Sequence, residues 1–326
     1  MTAERTRARS ARLTARSVTL AAAAAAMIIA VAACGSTAAS TASSPDVSPS
    51  LPNPVPVSPS TPPAASSHSA TSARSLPPRP DHVVIVIFEN KGYGSQVGSA
   101  SAPYLNSVLA NSAVFTNARA ITHPSQPNYL ALFSGSIQGV TSDRCLTPFH
   151  NRPNLGSQLI AAGDTFAGYS EDLPSVGYTG CSNGDYAAKH NPWAHFDNVP
   201  SSANQPYSAF PRDFSKLPTV SFVVPNLCND MHDCGTAAGD RWARANLAPY
   251  LAWAGTHNSL LLITYDENDG SAGNHILTAF VGAGVRPGRY SEAVDHYRIL
   301  RTIEAMYHLS PIGDAAQTSP ITDIWQ

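Results

Sequence analysis

A chain of 326 residues permits one large domain or two ordinary ones, and 43% hydrophobic residues are enough to build a core. A formal net charge of -2 excludes the global basic field that nucleic-acid binding requires. Charged residues make up only 13% and prolines number 27, and both oddities have a local cause at the N-terminus.

Arg5, Arg7, Arg9, Arg12 and Arg16 form a basic head, and an alanine-rich apolar run follows from Val18 to Ala33. The run falls short of the ~20 residues that span a bilayer comfortably, so it reads as an export leader; a retained single-span anchor is the alternative. It ends in Val31-Ala32-Ala33-Cys34, then Gly35-Ser36, similar to the lipobox of bacterial lipoproteins, where the cysteine becomes the lipidated first residue. An ordinary signal peptide cut nearby would leave Cys34 incidental. The expected location is the outer face of the cell membrane through an N-terminal lipid anchor, or secretion if the chain is released. Residues 35–80 are Ser, Pro, Thr and Ala with few large apolar side chains, a composition that cannot offset its ordering entropy. They are expected to form a disordered tether between the leader, 1–34, and one domain over 81–326.

Ordered structure is expected to begin with His82–Phe88, a continuous β-branched run suited to a strand buried on both faces. A helix is expected around Pro103–Ala113, a second from Pro127 to Phe133 and a third over Asn154–Ala162. Strands are expected at Thr165–Tyr169 and Val220–Val224, an amphipathic helix over Trp242–Ala254, then strands at Ser259–Tyr265 and Ile276–Val281. A helix over His296–His308 closes the pattern. Strands alternating with helices predict a single α/β domain with a mainly parallel sheet.

Five cysteines are present; without Cys34, an even set of Cys145, Cys181, Cys228 and Cys234 remains. In an oxidising compartment two disulfides are expected. Sequence alone leaves three pairings open, and proximity favours Cys145–Cys181 and Cys228–Cys234. A zinc site built from all four is the competing reading, weakened because no pair is separated by only two residues.

In open α/β sheets ligands bind beyond the C-terminal strand ends. Glu89 and Asn90 follow the first strand. Asn226, Asp230, His232 and Asp233 follow Val220–Val224, and Asp266, Glu267, Asn268 and Asp269 follow Ser259–Tyr265. Any one acidic residue here could be a turn or cap. Several at separate strand ends suit a hard divalent cation. Between them lies His123-Pro124-Ser125-Gln126-Pro127-Asn128-Tyr129. Pro127 fits the first position of a helix, which puts Ser125 just ahead of a helix N-terminus, where free N–H groups favour an anion such as phosphate. In isolation such a serine is usually only an N-cap.

Phe88-Glu89-Asn90-Lys91, the His123–Tyr129 segment, Asn226 through Asp233 and Tyr265-Asp266-Glu267-Asn268-Asp269-Gly270 together resemble the phosphoesterase family within the alkaline phosphatase superfamily, the secreted acid phosphatases and bacterial phospholipases C. The resemblance covers nearly all of residues 82–310. It implies an alkaline-phosphatase-like fold, with Ser125 as the nucleophile that takes a phosphoryl group. Glu89, Asn90, Asp266 and Glu267, with Ser125, would hold one divalent metal ion, with Mg, Ca or Mn all admissible to oxygen ligands. Asn128 would contact a phosphate oxygen, Asn90 would also face substrate, and His232 would touch phosphate or protonate the leaving group. His275 is a further candidate, or an ordinary surface histidine. No full second ligand set is present, so one metal is expected.

The implied activity is hydrolysis of small phosphate monoesters, phosphoinositides among them. A phospholipase C-type diesterase is the alternative on the same core, and a ligand-binding lipoprotein without chemistry is a third. A sulfatase is disfavoured because its Ser-x-Pro-x-Arg pattern lacks the Arg here, where Tyr129 stands. A Gly-x-Ser-x-Gly hydrolase is disfavoured because no such elbow occurs.

Overall fold

The three buried apolar runs lie side by side at the centre of one sheet. The computed structural model describes residues 76–271 and 273–326, which fall in one compact unit. The leader, Cys34 and most of the 35–80 tether lie outside the described residues. Arg79, near the expected end of that tether, already belongs to the domain, pairing with Asp164 at 2.6 Å.

The first half of the unit contains β1 (His82–Phe88), α1 (Pro103–Leu109), β2 (Ala113–Ala118), α2 (Ser125–Ser134), α3 (Leu155–Ala161), β3 (Phe166–Ser170) and β4 (Asn204–Pro206). The second contains β5 (Val220–Val224), α4 (Thr236–Ala254), β6 (Ser259–Tyr265), β7 (Thr278–Gly282), β8 (Gly288–Val294) and α5 (His296–Met306). The eight strands are ordered β8-β2-β7-β6-β1-β5-β3-β4. Only β7, among these strands, runs against its neighbours. β1 pairs in parallel with β5 through Val83↔Val220 and with β6 through Val83↔Leu260. Every residue of β5 and β6 is buried, as expected of apolar runs covered on both faces.

Several expectations shift, among them the helix expected from Trp242, which begins at Thr236. The helix expected to reach Ala113 ends at Leu109, and Ala113–Ala118 is a strand whose Asn117 and alanines obscured its β character. The edge strands β4 and β8 were not anticipated either: β4 is three residues ending in a proline, and β8 is largely exposed, so both lack the continuous apolar signature. The expected disulfides, Cys145–Cys181 and Cys228–Cys234, are both present. Among the described residues no helix is long and apolar enough to cross a membrane.

Helix α2 is buried along its whole length, packing against α3 and α5. Its Phe133 meets the rings of Phe166, Trp193, Phe196 and Phe222. Trp193 fits only because residue 168 is glycine; a Cβ there would stand 2.0 Å from the indole ring. The helix stops at Gly135, left-handed with φ 65°, where a Cβ would lie 2.3 Å from the Ile312 carbonyl oxygen.

Glu304 on α5 accepts from the Ile312 backbone N–H at 2.9 Å, fastening the segment that stops α2. Burial raises its carboxyl to about 7, more than the Ile312 bond and Arg301 lower it. A carboxyl raised on folding contributes stability that is present below its unfolded value, near 4.5, and lost as pH climbs through about 7. Glu304→Gln is therefore expected to match the wild type in thermal midpoint at pH 4 and to exceed it at pH 8. The shift should be roughly 2–4 °C for each kcal/mol gained. Equal midpoints at both pH values would contradict this.

Candidate active site

Because β1 lies between β5 and β6, the loops that leave their C-terminal ends open side by side. The backbone stitches them together: Asp266 N–H donates to the Phe88 carbonyl at 3.0 Å and Glu89 N–H to that of Asp230 at 2.8 Å. Asn90, in the left-handed region at φ 53°, donates its N–H to Asp266 Oδ1 at 3.1 Å. The sheet thus gathers Glu89, Asn90, Asp230, Asp266 and Glu267 from three segments far apart in sequence.

Ser125 arrives on α2. The helix begins at Ser125 itself, with Pro124 as its cap, so Pro127 is the third residue and not the first. Pro127 is tolerated there because the first turn's N–H groups have no intrahelical acceptor. The expected free anion cradle is partly filled, because Gln126 N–H donates to Asp143 Oδ1 at 3.0 Å and Lys189 Nζ holds the other Asp143 oxygen at 2.9 Å. Ser125 Oγ is buried and donates to Glu89 Oε2 at 3.0 Å, with Glu267 Oε1 at 3.3 Å. His123 Nδ1 contacts Glu267 Oε2 from the solvent side.

The charges are out of balance. Burial acts to raise Glu89, and the adjoining His190 charge and hydrogen bond, with the Tyr129 hydroxyl, outweigh it and hold Glu89 well below the usual carboxylate range. Burial, then Glu89 and Glu267, push Asp266 far above that range. Glu267 is raised by burial against the pull of His123. Asp266 Oδ2 is buried with no hydrogen-bond partner.

A hard cation matches this donor set in charge and oxygen chemistry, and the orphaned Asp266 oxygen is what such an ion would satisfy. Among the described residues no three His, Cys, Asp or Glu side chains already close around one point. The match is therefore one of donor type and charge, with the last closure left to side-chain movement.

Other sequence candidates are placed differently. Asn128 is committed to its own loop: its Oδ1 accepts from the N–H groups of Ile121 and Thr122 at 3.0 and 3.1 Å, and its Nδ2 donates to Thr122 and Pro124 carbonyls at 2.9 and 3.1 Å. Its hydrogen-bonding capacity is spent bracing the loop that delivers Ser125. His232 stands half-exposed at the rim, with Nδ1 2.6 Å from Asp233 and its ring 6.3 Å from that of His190. Asn226 and Asn268 organise turns through their own side chains. Asp269 does the same beside Ser271. His275 stacks flat on Tyr93 at 4.5 Å.

One buried residue went unseen in the sequence. His190 reaches Glu89 Oε1 with Nε2 at 2.9 Å and Asp230 Oδ2 with Nδ1 at 3.3 Å. It belongs to none of the four motifs, and a histidine following a lysine in an irregular segment carries no signal of its own.

The model of the Phosphoesterase family matches residues 99–310. A phosphatidylinositol-3-phosphatase of Mycobacterium tuberculosis is 52% identical over 255 residues, 78% of this chain and 85% of that protein. A probable acid phosphatase of Kluyveromyces lactis is 32% identical over 249 residues, 70% of this chain and 58% of that protein. The chain thus spans little more than half the length of this yeast relative. Among solved structures, an alkaline phosphatase superfamily protein from Vibrio parahaemolyticus gives a TM-score of 0.52 at 12% identity, with 76% of this chain and 72% of that chain covered. That likeness is one of fold.

Asn128→Ala removes the acceptor for two backbone N–H groups and is expected to destabilise the domain by about 1–3 kcal/mol. Denaturant unfolding measures this, and an unchanged midpoint would contradict the bracing role.

Proposed function

The chain is a phosphatase-type hydrolase of the Phosphoesterase family, and from that premise we propose that it hydrolyses phosphate monoesters through a phospho-Ser125 intermediate. The observation that carries the reading is the Ser125 hydroxyl, buried at the start of α2 and set between Glu89 Oε2 and Glu267 Oε1.

Ser125 Oγ attacks phosphorus as its proton passes to Glu267 while Glu89 holds the hydroxyl in line, and the bond to the ester oxygen breaks. The departing alkoxide takes a proton from His232, which Asp233 holds at the rim. Water then attacks the phosphoserine, releasing inorganic phosphate and restoring the hydroxyl. Glu89, Asn90, Asp266 and Glu267, with Ser125, would hold one divalent cation, which when bound favours the serine alkoxide and offsets charge on the phosphoryl oxygens. Asn128 acts by fixing the 121–124 loop.

A phosphoinositide monoester is the proposed substrate class, by similarity to the Mycobacterium tuberculosis phosphatase. An exported chain lipidated at Cys34 would place the domain at a membrane surface, where such a lipid headgroup presents itself.

Ser125→Ala is expected to lower kcat on a chromogenic phosphate monoester by about 10³-fold or more while the fold persists. Retention of activity would remove the nucleophile role. Chelation and Asp266→Asn should each reduce the rate strongly, and indifference to both would contradict the metal role. Vesicles of phosphatidylinositol 3-phosphate should release inorganic phosphate; release of a phosphorylated headgroup would instead make the enzyme a phospholipase C-type diesterase.

A further inference from the structure

The two oxygens of Glu89 face different partners. Oε2 accepts the Ser125 hydroxyl at 3.0 Å. Oε1 accepts the Tyr129 hydroxyl at 2.7 Å and lies 2.9 Å from His190 Nε2. The Tyr129 and His190 rings stack at 5.0 Å with 15° between their planes. His190 meets Glu89 with one nitrogen and Asp230 Oδ2, at 3.3 Å, with the other, as ion-pair contacts without hydrogen-bond geometry. Glu89, Tyr129 and His190 are all buried, so solvent does not compete for these contacts.

We infer that Tyr129 and His190 are positioning residues: together they clamp Glu89 Oε1 and so aim Oε2 at Ser125. The inference rests on the proposed nucleophile role of Ser125. A carboxylate on a flexible glutamate stem would otherwise rotate, and its second oxygen would leave the serine. Tyr129 sits four residues beyond Ser125 on the same helix, so one element delivers both the hydroxyl to be activated and the donor that orients its acceptor. His190 comes from the other side and meets Asp230 in the loop that follows β5. The clamp joins α2 to the 188–190 segment across the end of β1, and it explains why this segment carries a buried histidine.

Tyr129→Phe deletes one hydroxyl and leaves the stacked ring. Losing a hydrogen bond to a charged group is expected to lower kcat per folded molecule on a chromogenic phosphate monoester by about 10- to 100-fold with KM held, beside a lower thermal midpoint from the unsatisfied buried carboxylate oxygen. His190→Gln, which keeps a polar group packed against Glu89, should retain more kcat per folded molecule than His190→Ala. A kcat within twofold of wild type in Tyr129→Phe would overturn the inference, as would a loss that appears in KM or in the midpoint alone. Equal losses in His190→Gln and His190→Ala would overturn the part assigned to His190. Activity in Ser125→Ala would overturn the nucleophile role itself; an inactive Ser125→Ala beside a fully active Tyr129→Phe would overturn only the clamp.

Discussion

Strand β1 lies between two parallel neighbours, β5 and β6, and the site depends on that adjacency. Strands from residues 82, 220 and 259 release their chains at one edge, so acidic residues nearly 180 positions apart in sequence become neighbours. The strands are held by burial on both faces, a non-directional force that needs only apolar side chains of suitable size. The loops beyond them are free to be polar because the sheet carries the stability.

That arrangement has an electrostatic cost. Glu89 and Asp266 are buried and Glu267 is close beside them, and burial alone disfavours charge on each. His190 and Tyr129 relieve Glu89, His123 partly relieves Glu267, and Asp266 keeps an oxygen without a partner. A site so rich in carboxylates is poorly suited to simple packing and well suited to a cation and a transferred phosphoryl group. The same logic separates His232, exposed at the rim where a leaving group would depart, from His190, sealed beneath it.

Much of this was legible in the sequence for a physical reason. His82–Phe88, Val220–Val224 and Ser259–Tyr265 are uninterrupted apolar runs, and the structure has strands over those same residues. The residues just past them therefore had to be near one another once the sheet was parallel. β2, β4 and β8 escaped because strands that carry Asn, Gly or Pro or lie exposed at an edge lack a continuous apolar run and resemble turns and helix ends. Pro127 misled by two residues, since any position of the first helical turn tolerates a missing N–H, not only the first. The family resemblance implies a phosphate contact for Asn128; its hydrogen bonds to the 121–124 loop depend on a backbone course that the motif does not encode. His190 was invisible because its partners, Glu89 and Asp230, come from different strands, and only the folded chain brings the three together.

The most direct test is to quench the enzyme in acid during turnover of a phosphate monoester and map covalent phosphate by peptide mass spectrometry. A phosphoryl group is expected on the Ser125 side chain, and none in Ser125→Ala. A phosphoryl group on another residue, or none at all while product accumulates, would contradict the nucleophile role of Ser125.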